Sequence, residues 1–242
     1  MTDPHHPGAP SEAPPPAAGG ADPARAAALV RGAYRHLGRG DRFHVAVRWR
    51  SCPFGDVERR VPRQGRVLDL GCGHGAFALY LAARAPARGV TGTDVDAAKL
   101  SAARRAAGHA DLPVTFVEAV GGALPPGPWD AITVVDVLYL LGRDAALDLV
   151  GRAAGALAPG GSLVIKEIDV HPRWKYELAR AQEIVSTRVT RITEGEGVAF
   201  VPPDDLEAAM GAAGLSVERT RLDGGRAHPH LLLVGTAAGD RG

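Results

Sequence analysis

A glycine-rich turn between a predicted strand and a predicted helix carries the clearest chemical pattern in the chain. Residues 67–77 read VLDLGCGHGAF, an apolar run that leads through Asp69 into three glycines at alternating positions. Glycine has no Cβ atom, so this backbone can turn tightly and let a bulky ligand approach closely. Asp94 ends the next predicted strand, where its carboxylate could accept both hydroxyl groups of a ribose. The pattern predicts a site for a ribose-containing ligand.

The carboxylate just before the turn indicates the charge of that ligand. Dinucleotide-binding turns have the spacing GxGxxG, whereas this turn has the spacing GxGxG and follows Asp69. A pyrophosphate favours a helix N-terminus that is free of a nearby carboxylate. S-adenosylmethionine carries an ammonium and a sulfonium, which a carboxylate would attract. Asp69 therefore favours S-adenosylmethionine over a nicotinamide dinucleotide.

Alternating strands and helices surround the turn and must position these side chains. Strands are predicted at 66–70, 89–94, 114–118, 130–135 and 162–168, with helices at about 75–85, 96–107 and 144–157. This alternation is typical of a doubly wound α/β fold with a mostly parallel sheet. A helix is then predicted at about 203–213, followed by strands 215–222 and 230–236. The last two strands are close enough for a hairpin, so we expect the final strand to be antiparallel.

In this order the motifs resemble those of the class I S-adenosylmethionine-dependent methyltransferases. VLDLGCGHG resembles the family's first motif and GTDVDAAKL its second, and the resemblance is strong over about residues 60–168. WDAITVVDVLYLL resembles the fourth strand with the segment after it, and LAPGGSLVIKE the turn and fifth strand. The resemblance implies a seven-stranded sheet in the order 3-2-1-4-5-7-6, with the seventh strand antiparallel and helices on both faces. It also implies a methyltransferase that uses S-adenosylmethionine and releases S-adenosylhomocysteine.

The resemblance further implies which residues bind the cofactor. Gly71, Cys72 and Gly73 would contact its methionine part. Asp94 would bind its ribose, and Val95 would flank its adenine. Acidic side chains before the turn and after the fourth strand complete the set. The predicted cofactor-binding residues are Asp69, Gly71, Cys72, Gly73, Asp94, Val95 and Asp136.

One position departs from the family pattern. Many members place an acidic residue just after the third strand, where it accepts a hydrogen bond from the adenine amine, but residues 117–121 read VEAVG here. Either Glu118 shifts register or backbone atoms hold the adenine.

Cys72 is interpreted as a small turn residue rather than a nucleophile.

The segment after the fifth strand is dense in ionisable groups. Residues 166–175 read KEIDVHPRWK and hold two of the chain's three lysines. We predict that Glu167 or His171 orients the methyl acceptor or takes its proton; the alternative is a polar loop with a salt bridge. His230 could also take a proton near neutral pH, and Tyr139 could hydrogen-bond the acceptor, although either could be structural. The predicted catalytic residues are Glu167, His171, His230 and Tyr139.

The N-terminal segment is predicted to be a tail followed by a cap. Residues 1–24 are rich in Pro, Gly and Ala and are expected to be disordered. Residues 25–62 are expected to form a cap or lid, with a helix at 26–37. Residues 43–50 alternate like a strand, with Arg48 and Arg50 on one face. One of these arginines could neutralise a carboxylate of the cofactor or of an acidic substrate, or both could be exposed. Residues 63–238 would form the catalytic core, with a lid insertion at about 172–200.

Composition excludes several classes of protein. The 28 basic and 27 acidic residues give a net charge of +1, so no global attraction to nucleic acid or to an anionic membrane is expected. Two cysteines, Cys52 and Cys72, cannot supply a disulfide framework or a thiolate zinc site, and no metal site is predicted. The chain has no apolar run long enough for a membrane span and no signal peptide pattern. These features predict a cytoplasmic protein.

The predicted activity is methylation of a small-molecule acceptor. Oxygen is the first choice of acceptor atom, in bacterial secondary metabolism or on a lipid-like acceptor. Methylation of carbon or nitrogen remains open, as does a repurposed S-adenosylmethionine-binding protein, such as a cyclase or partner subunit. The chain lacks the Asn/Asp-Pro-Pro-Tyr tetrapeptide and an added nucleic-acid module, which argues against a nucleic-acid substrate. The expected assembly is a monomer or a homodimer.

Overall fold

A seven-stranded sheet forms the centre of the computed structural model, which describes residues 20–168, 201–222 and 230–239. Its strand order is β3-β2-β1-β4-β5-β7-β6. The first five strands are parallel, and β7 is antiparallel to both of its neighbours. The predicted order and the antiparallel final strand are confirmed. The strands are β1 Gly65–Leu70, β2 Arg88–Asp94, β3 Val114–Glu118, β4 Trp129–Val135, β5 Leu157–Ile168, β6 Ser216–Arg221 and β7 His230–Thr236.

Helices cover both faces of the sheet. The first, fourth and fifth helices contribute to one apolar cluster, and the sixth and seventh contribute to the other. Within the described ranges the helices are α1 Pro23–Ala33, α2 Arg39–Ser51, α3 Phe54–Glu58, α4 Ala76–Arg84, α5 Ala97–Ala110, α6 Arg143–Gly155 and α7 Pro203–Ala212. The doubly wound α/β fold is therefore confirmed. In the described ranges no helix is long and apolar enough to span a membrane.

Strand register brings the predicted site residues to one edge of the sheet. Asp69 lies opposite Gly92 of β2 and Thr133 of β4 in parallel pairing. Parallel strands share the edge at which their carboxyl ends lie. Asp69 lies one residue before the end of β1, Asp94 ends β2 and Asp136 follows β4. The three carboxylates therefore lie at the same edge of the sheet, although they are far apart in sequence.

The predicted strand at 43–50 is wrong, because these residues belong to α2. The alternating pattern also places Val45 and Trp49 four residues apart, which is the spacing of one helical face. Val45 is 3% exposed, and the Trp49 ring contacts the Tyr80 ring edge-on with centroids 5.4 Å apart. Packing against the core thus selects the helix, and Asp41 in its first turn complements the helix dipole.

Other predicted boundaries shift slightly. α1 begins at Pro23, inside the predicted tail, because the Asp22 carboxylate caps the helix through the backbone amides of Ala24 and Arg25. β5 begins at Leu157 rather than 162, since Leu157 pairs with Trp129 before a register shift. The predicted lid insertion, together with His171, lies outside the described residues.

Candidate functional site

The glycine-rich turn after β1 requires left-handed backbone and leaves space above it. Gly71 has a φ of 67°, and a Cβ atom there would lie 2.5 Å from a methyl group of Val137. Gly73 has a φ of 54°, but a Cβ atom there would meet nothing within 4 Å. Gly71 therefore allows close packing against the segment after β4. Gly73 turns the chain beneath open space that a ligand can occupy.

Asp94 is held beside this turn by backbone amides. Its Oδ2 accepts a hydrogen bond of 2.8 Å from the Gly73 amide, and its Oδ1 accepts one of 2.9 Å from the Asp96 amide. A carboxylate oxygen can accept more than one hydrogen bond, so both oxygens retain capacity for ribose hydroxyls. The neighbouring Val95 is 70% exposed and Val120, after β3, is 74% exposed. Two exposed apolar side chains thus follow the ends of β2 and β3, as the recognition of a nucleoside base would require.

Asp69 has one carboxylate oxygen without a partner. The residue is 2% exposed, and its Oδ1 accepts a hydrogen bond of 2.8 Å from the Thr133 hydroxyl. The buried Oδ2 has no hydrogen-bond partner in the part of the chain that the structure describes. Burial raises the pKa of Asp69 to about 7, against the opposing effect of the Thr133 hydrogen bond. An unsatisfied buried acceptor costs free energy, which a cationic donor on a ligand would recover.

Cys72 has the properties expected of a turn residue. Its amide donates a hydrogen bond of 2.8 Å to the Thr93 carbonyl. Burial raises the pKa of its thiol, and the charges of Asp69 and Asp94 raise it further. Because the thiolate is the nucleophilic form, this environment opposes nucleophilic chemistry at Cys72.

The N-terminal helices contact the same turn through residues that sequence reasoning missed. The Tyr34 hydroxyl donates a hydrogen bond of 2.6 Å to the His74 carbonyl, and His74 Nε2 lies 3.2 Å from Asp41 Oδ1. The His44 and His74 rings lie 4.6 Å apart. Burial, followed by the charge of His74, lowers the pKa of His44 to about 4. No sequence motif links these residues, because only the fold brings α1 and α2 onto the turn.

A buried ion cluster joins α2 to the carboxyl ends of β4 and β5. Asp136, at a φ of 54°, is paired with Lys166, and its Oδ2 lies 2.6 Å from Arg48 Nη1. Burial alone would raise the pKa of Asp136, but the charges of Lys166 and Arg48 hold it below its ordinary value. Two cations thus bind the Asp136 carboxylate, whose side chain is 4% exposed. The role of Asp136 in cofactor binding stays a prediction.

Glu167 lies beside this cluster and binds the segment that follows Asp136. Its Oε1 accepts hydrogen bonds from the amides of Val137 at 3.0 Å and Leu138 at 2.8 Å. Burial, with a further contribution from the charge of Asp136, raises the pKa of Glu167 to about 8. A carboxyl group with this pKa is suited to general acid–base catalysis near neutral pH.

Two other predicted catalytic residues lie at the same edge. Tyr139 is 6% exposed and lies in the short 3₁₀ helix Leu138–Leu140. His230, 3% exposed, begins β7 and pairs with Ile168, the residue after Glu167. The structure therefore places Glu167, Tyr139 and His230 on neighbouring elements. In the described ranges, no three His, Cys, Asp or Glu side chains are grouped as metal ligands.

The residues around the turn fit the chemistry of S-adenosylmethionine. The unpartnered oxygen of Asp69 suits a cationic donor, and the space above Gly73 lets a ligand approach the backbone. Asp94 offers a fixed carboxylate for a ribose. These three features supply a partner for the ammonium, room for the methionine part and an anchor for the nucleoside.

Comparisons with known proteins agree with this chemistry. A family model described as a methyltransferase domain matches residues 67–161. A demethylmenaquinone methyltransferase from Thermus thermophilus is 34% identical over 206 residues, which cover 78% of this chain and 90% of that protein. A trans-aconitate 2-methyltransferase from Paracidovorax citrulli is 39% identical over 129 residues, which cover 50% of this chain and 46% of that protein.

Solved structures agree on the fold. An O-methyltransferase family protein from Burkholderia thailandensis superposes with a TM-score of 0.65 at 23% identity, over 81% of this chain and 58% of that one. At this identity the likeness concerns the fold alone.

The match to the Thermus relative extends over nearly all of that protein, and the site residues fit the cofactor. The chain belongs to the class I S-adenosylmethionine-dependent methyltransferases, and S-adenosylmethionine is its cofactor.

Proposed function

We propose that the enzyme methylates an oxygen atom of a small acceptor with a weakly acidic hydroxyl group, such as a phenol or a hydroquinone. The observation that carries this proposal is the buried carboxyl group of Glu167, which lies at the carboxyl end of β5 and has a pKa raised to about 8. A general base works best when its pKa lies near the operating pH. Phenols ionise near pH 10, so a base with a raised pKa suits them better than an ordinary carboxylate.

The residues of this chain would position the acceptor and accept its proton. When bound, S-adenosylmethionine supplies a methyl group on a sulfonium, which needs no further activation. Glu167 would take the hydroxyl proton as the acceptor oxygen forms its bond to the methyl group. Lys166, Arg48 and Asp136 together carry one net positive charge next to Glu167, which favours an anionic acceptor. Tyr139 remains the predicted hydrogen-bond partner of the acceptor. His230 remains a predicted proton acceptor, and His171 remains the alternative to Glu167.

Methylation of a ring carbon is the second candidate function. It is supported by the Thermus thermophilus relative, whose name specifies a demethylmenaquinone acceptor. A hydroquinone that has lost a proton is nucleophilic at its oxygen and at its ring carbons, so Glu167 would serve either outcome. A carboxylate acceptor, which the name of the trans-aconitate relative specifies, is already ionised and would need no base. A cytoplasmic location and a role in bacterial secondary metabolism remain predictions.

Incubation with S-adenosylmethionine that carries a deuterated methyl group tests the proposal. The acceptor panel would contain phenols, hydroquinones, polycarboxylic acids and an oligonucleotide, with products identified by mass and the labelled atom located by NMR. We expect a labelled methyl ether from a phenol or hydroquinone, with a rate that rises with pH through about 8. A label on a ring carbon would select the second candidate. A labelled carboxylic ester with a flat pH profile would overturn the role of Glu167.

A binding measurement separates methyl transfer from a repurposed fold. We expect calorimetry to detect adenosylhomocysteine binding and no NADH binding. If adenosylhomocysteine binds but no acceptor in any class is methylated, a non-catalytic function such as that of a partner subunit would be favoured instead.

A further inference from the structure

Helix α2 has two chemically different faces. Its inward face carries Asp41, His44 and Arg48, which contact the glycine-rich turn and Asp136. Its outward face is made of residues that are all exposed, and it combines apolar and basic side chains without an acidic one. We call these six residues the outer face of α2: Arg39, Arg42, Phe43, Ala46, Val47 and Arg50.

The outer face of α2 exposes two bulky apolar side chains. Phe43 is 73% exposed and Val47 is 42% exposed, and the two lie one helical turn apart. Arg39 and Arg50 lie on the same face toward the two ends of the helix, and Arg42 lies next to Phe43. A helix that presents apolar side chains among arginines is typical of segments that lie at the surface of a membrane.

The charge of the chain is strongly uneven. Residues 23–51 contain seven arginines and one aspartate, a formal charge of +6, whereas the whole chain has a net charge of +1. The near-neutral total therefore conceals a basic region, and the remaining residues are acidic on balance. In the part of the chain that the structure describes, Arg35, Arg39 and Arg42 form no ion pair. Their positive charge is thus available to an external anion.

An open cavity adjoins the outer face. It has a volume of about 720 Å³ and lies between the end of α1 and the start of α2, where Arg31, Arg35, Arg39, Arg42 and Phe43 contribute to its lining. Arginine binds phosphate with parallel hydrogen bonds from its planar guanidinium group, so four arginines that line one cavity suit the recognition of phosphate headgroups. The apolar ring of Phe43 at the same cavity suits the base of an acyl chain.

We propose that the outer face of α2 and this cavity bind the anionic surface of a phospholipid bilayer. Phe43 and Val47 would enter the boundary between headgroups and acyl chains, while the surrounding arginines would pair with lipid phosphates. A nucleic acid would satisfy the arginines but offers no apolar layer for Val47. Because the opposite face of α2 contacts the glycine-rich turn and Asp136, the catalytic edge would lie about one helix diameter, roughly 10 Å, from the membrane surface.

Cosedimentation with vesicles tests this proposal on the full chain. We expect binding to vesicles that contain phosphatidylglycerol, and little binding to vesicles of phosphatidylcholine alone. Arg42→Glu should weaken the binding by about tenfold or more, since each basic residue near an anionic surface contributes a factor of about five. The matched control is Arg105→Glu on α5, which reverses an exposed helical arginine whose side chain contacts Ser101. This control should leave vesicle binding close to that of the wild type.

Phe43→Ala distinguishes insertion from charge attraction alone. We expect it to weaken vesicle binding most clearly at high salt, where electrostatic attraction is screened. Circular dichroism and binding of adenosylhomocysteine should be unchanged in both variants, since neither residue belongs to the cofactor site.

Three results would overturn the proposal. The first is equal binding to both vesicle types, and the second is an equal effect of Arg42→Glu and Arg105→Glu. The third is binding of an RNA duplex or self-association of the chain that depends on Arg42 and Phe43 in the absence of vesicle binding. None of these outcomes depends on the acceptor, so they leave the proposed function unaffected.

Discussion

Arg48 and Asp136 form an ion pair in which Arg48 Nη1 lies 2.6 Å from Asp136 Oδ2. Arg48 belongs to α2 and Asp136 follows β4, so the pair fastens the N-terminal segment to the carboxyl edge of the sheet. Arg48 Nη2 also donates a hydrogen bond of 3.3 Å to the Val135 carbonyl. The position of α2 next to the cofactor turn therefore depends on charges at the end of β4.

Asp136→Asn should destabilise the fold strongly. The Asp136 carboxylate compensates the buried ammonium of Lys166, which is 1% exposed, and an unpaired buried charge costs about 3–5 kcal/mol. Asparagine tolerates the left-handed backbone of this position, so backbone strain would contribute little. The measurement is the free energy of unfolding in urea.

Arg48→Met is the matched variant and should cost less, about 1–2 kcal/mol, because Arg48 is 28% exposed and Lys166 keeps its partner. Equal losses from the two variants would contradict a special role for the Lys166 pair.

Asp94→Ala should weaken cofactor binding without unfolding the protein. The variant removes the carboxylate that the Gly73 and Asp96 amides hold in place for the ribose. We expect a loss of about 1–3 kcal/mol in the binding of adenosylhomocysteine, measured by calorimetry. Asp148→Ala is the control, since Asp148 lies on α6 and pairs with Arg152 at the surface. An unchanged affinity in Asp94→Ala would show that the second motif is misassigned.

Asp69→Asn should remove a pH dependence from cofactor binding. Burial raises the pKa of Asp69 to about 7, so the carboxyl group is mostly protonated below that pH and ionised above it. In the wild type, affinity for the ammonium of adenosylhomocysteine should therefore increase as the pH rises through about 7. The variant should bind about tenfold more weakly at pH 8, because hydrogen bonds to charged groups contribute about 1.5–3 kcal/mol. Its affinity should vary little with pH, and a wild-type affinity that is flat between pH 6 and pH 8 would count against this role.

Glu167→Gln should lower turnover while leaving cofactor affinity unchanged. Glutamine can still accept hydrogen bonds from the Val137 and Leu138 amides, so the segment after β4 should keep its position. Loss of a general base should reduce kcat by about 100-fold or more. His171→Ala is the companion variant for the alternative base. If both variants retain wild-type turnover, the proton is accepted elsewhere or the acceptor is already ionised.

Glu167 should also make the stability of the fold depend on pH. Its pKa is raised from 4.5 to about 8, so the folded protein holds a proton that the unfolded chain releases. The stability that this group contributes is present in full below about pH 4.5 and is lost as the pH rises to about 8. Compared with Glu167→Gln, the wild type should lose up to about 1.4 kcal/mol per pH unit across this window. Urea unfolding at several pH values measures the difference, and parallel curves for the two proteins would refute it.

The sheet and its helices could be predicted because their patterns are local. The predicted strands of five to eight residues alternate with longer helices, and glycine or aspartate at a strand end indicates a boundary. The residues at 43–50 show the limit of this reasoning, since the same alternation is compatible with a strand or with the inner face of a helix. Only the packing of Val45 and Trp49 against the core selects the helix.

The sequence by itself determined the fold class, the strand order through its family resemblance, and the order of Asp69, the glycine turn and Asp94. These features depend on residues that are close together in the sequence, so the residue types and their spacing are enough to predict them. The tertiary structure decided which charges compensate one another and which surface remains exposed. Arg48, Asp136 and Lys166 come from three separate elements. Helix α2 turns Arg39, Arg42, Arg50 and Phe43 outward because its other face packs on the turn and on Asp136. Such relationships depend on distances between residues far apart in sequence, and burial sets their energies.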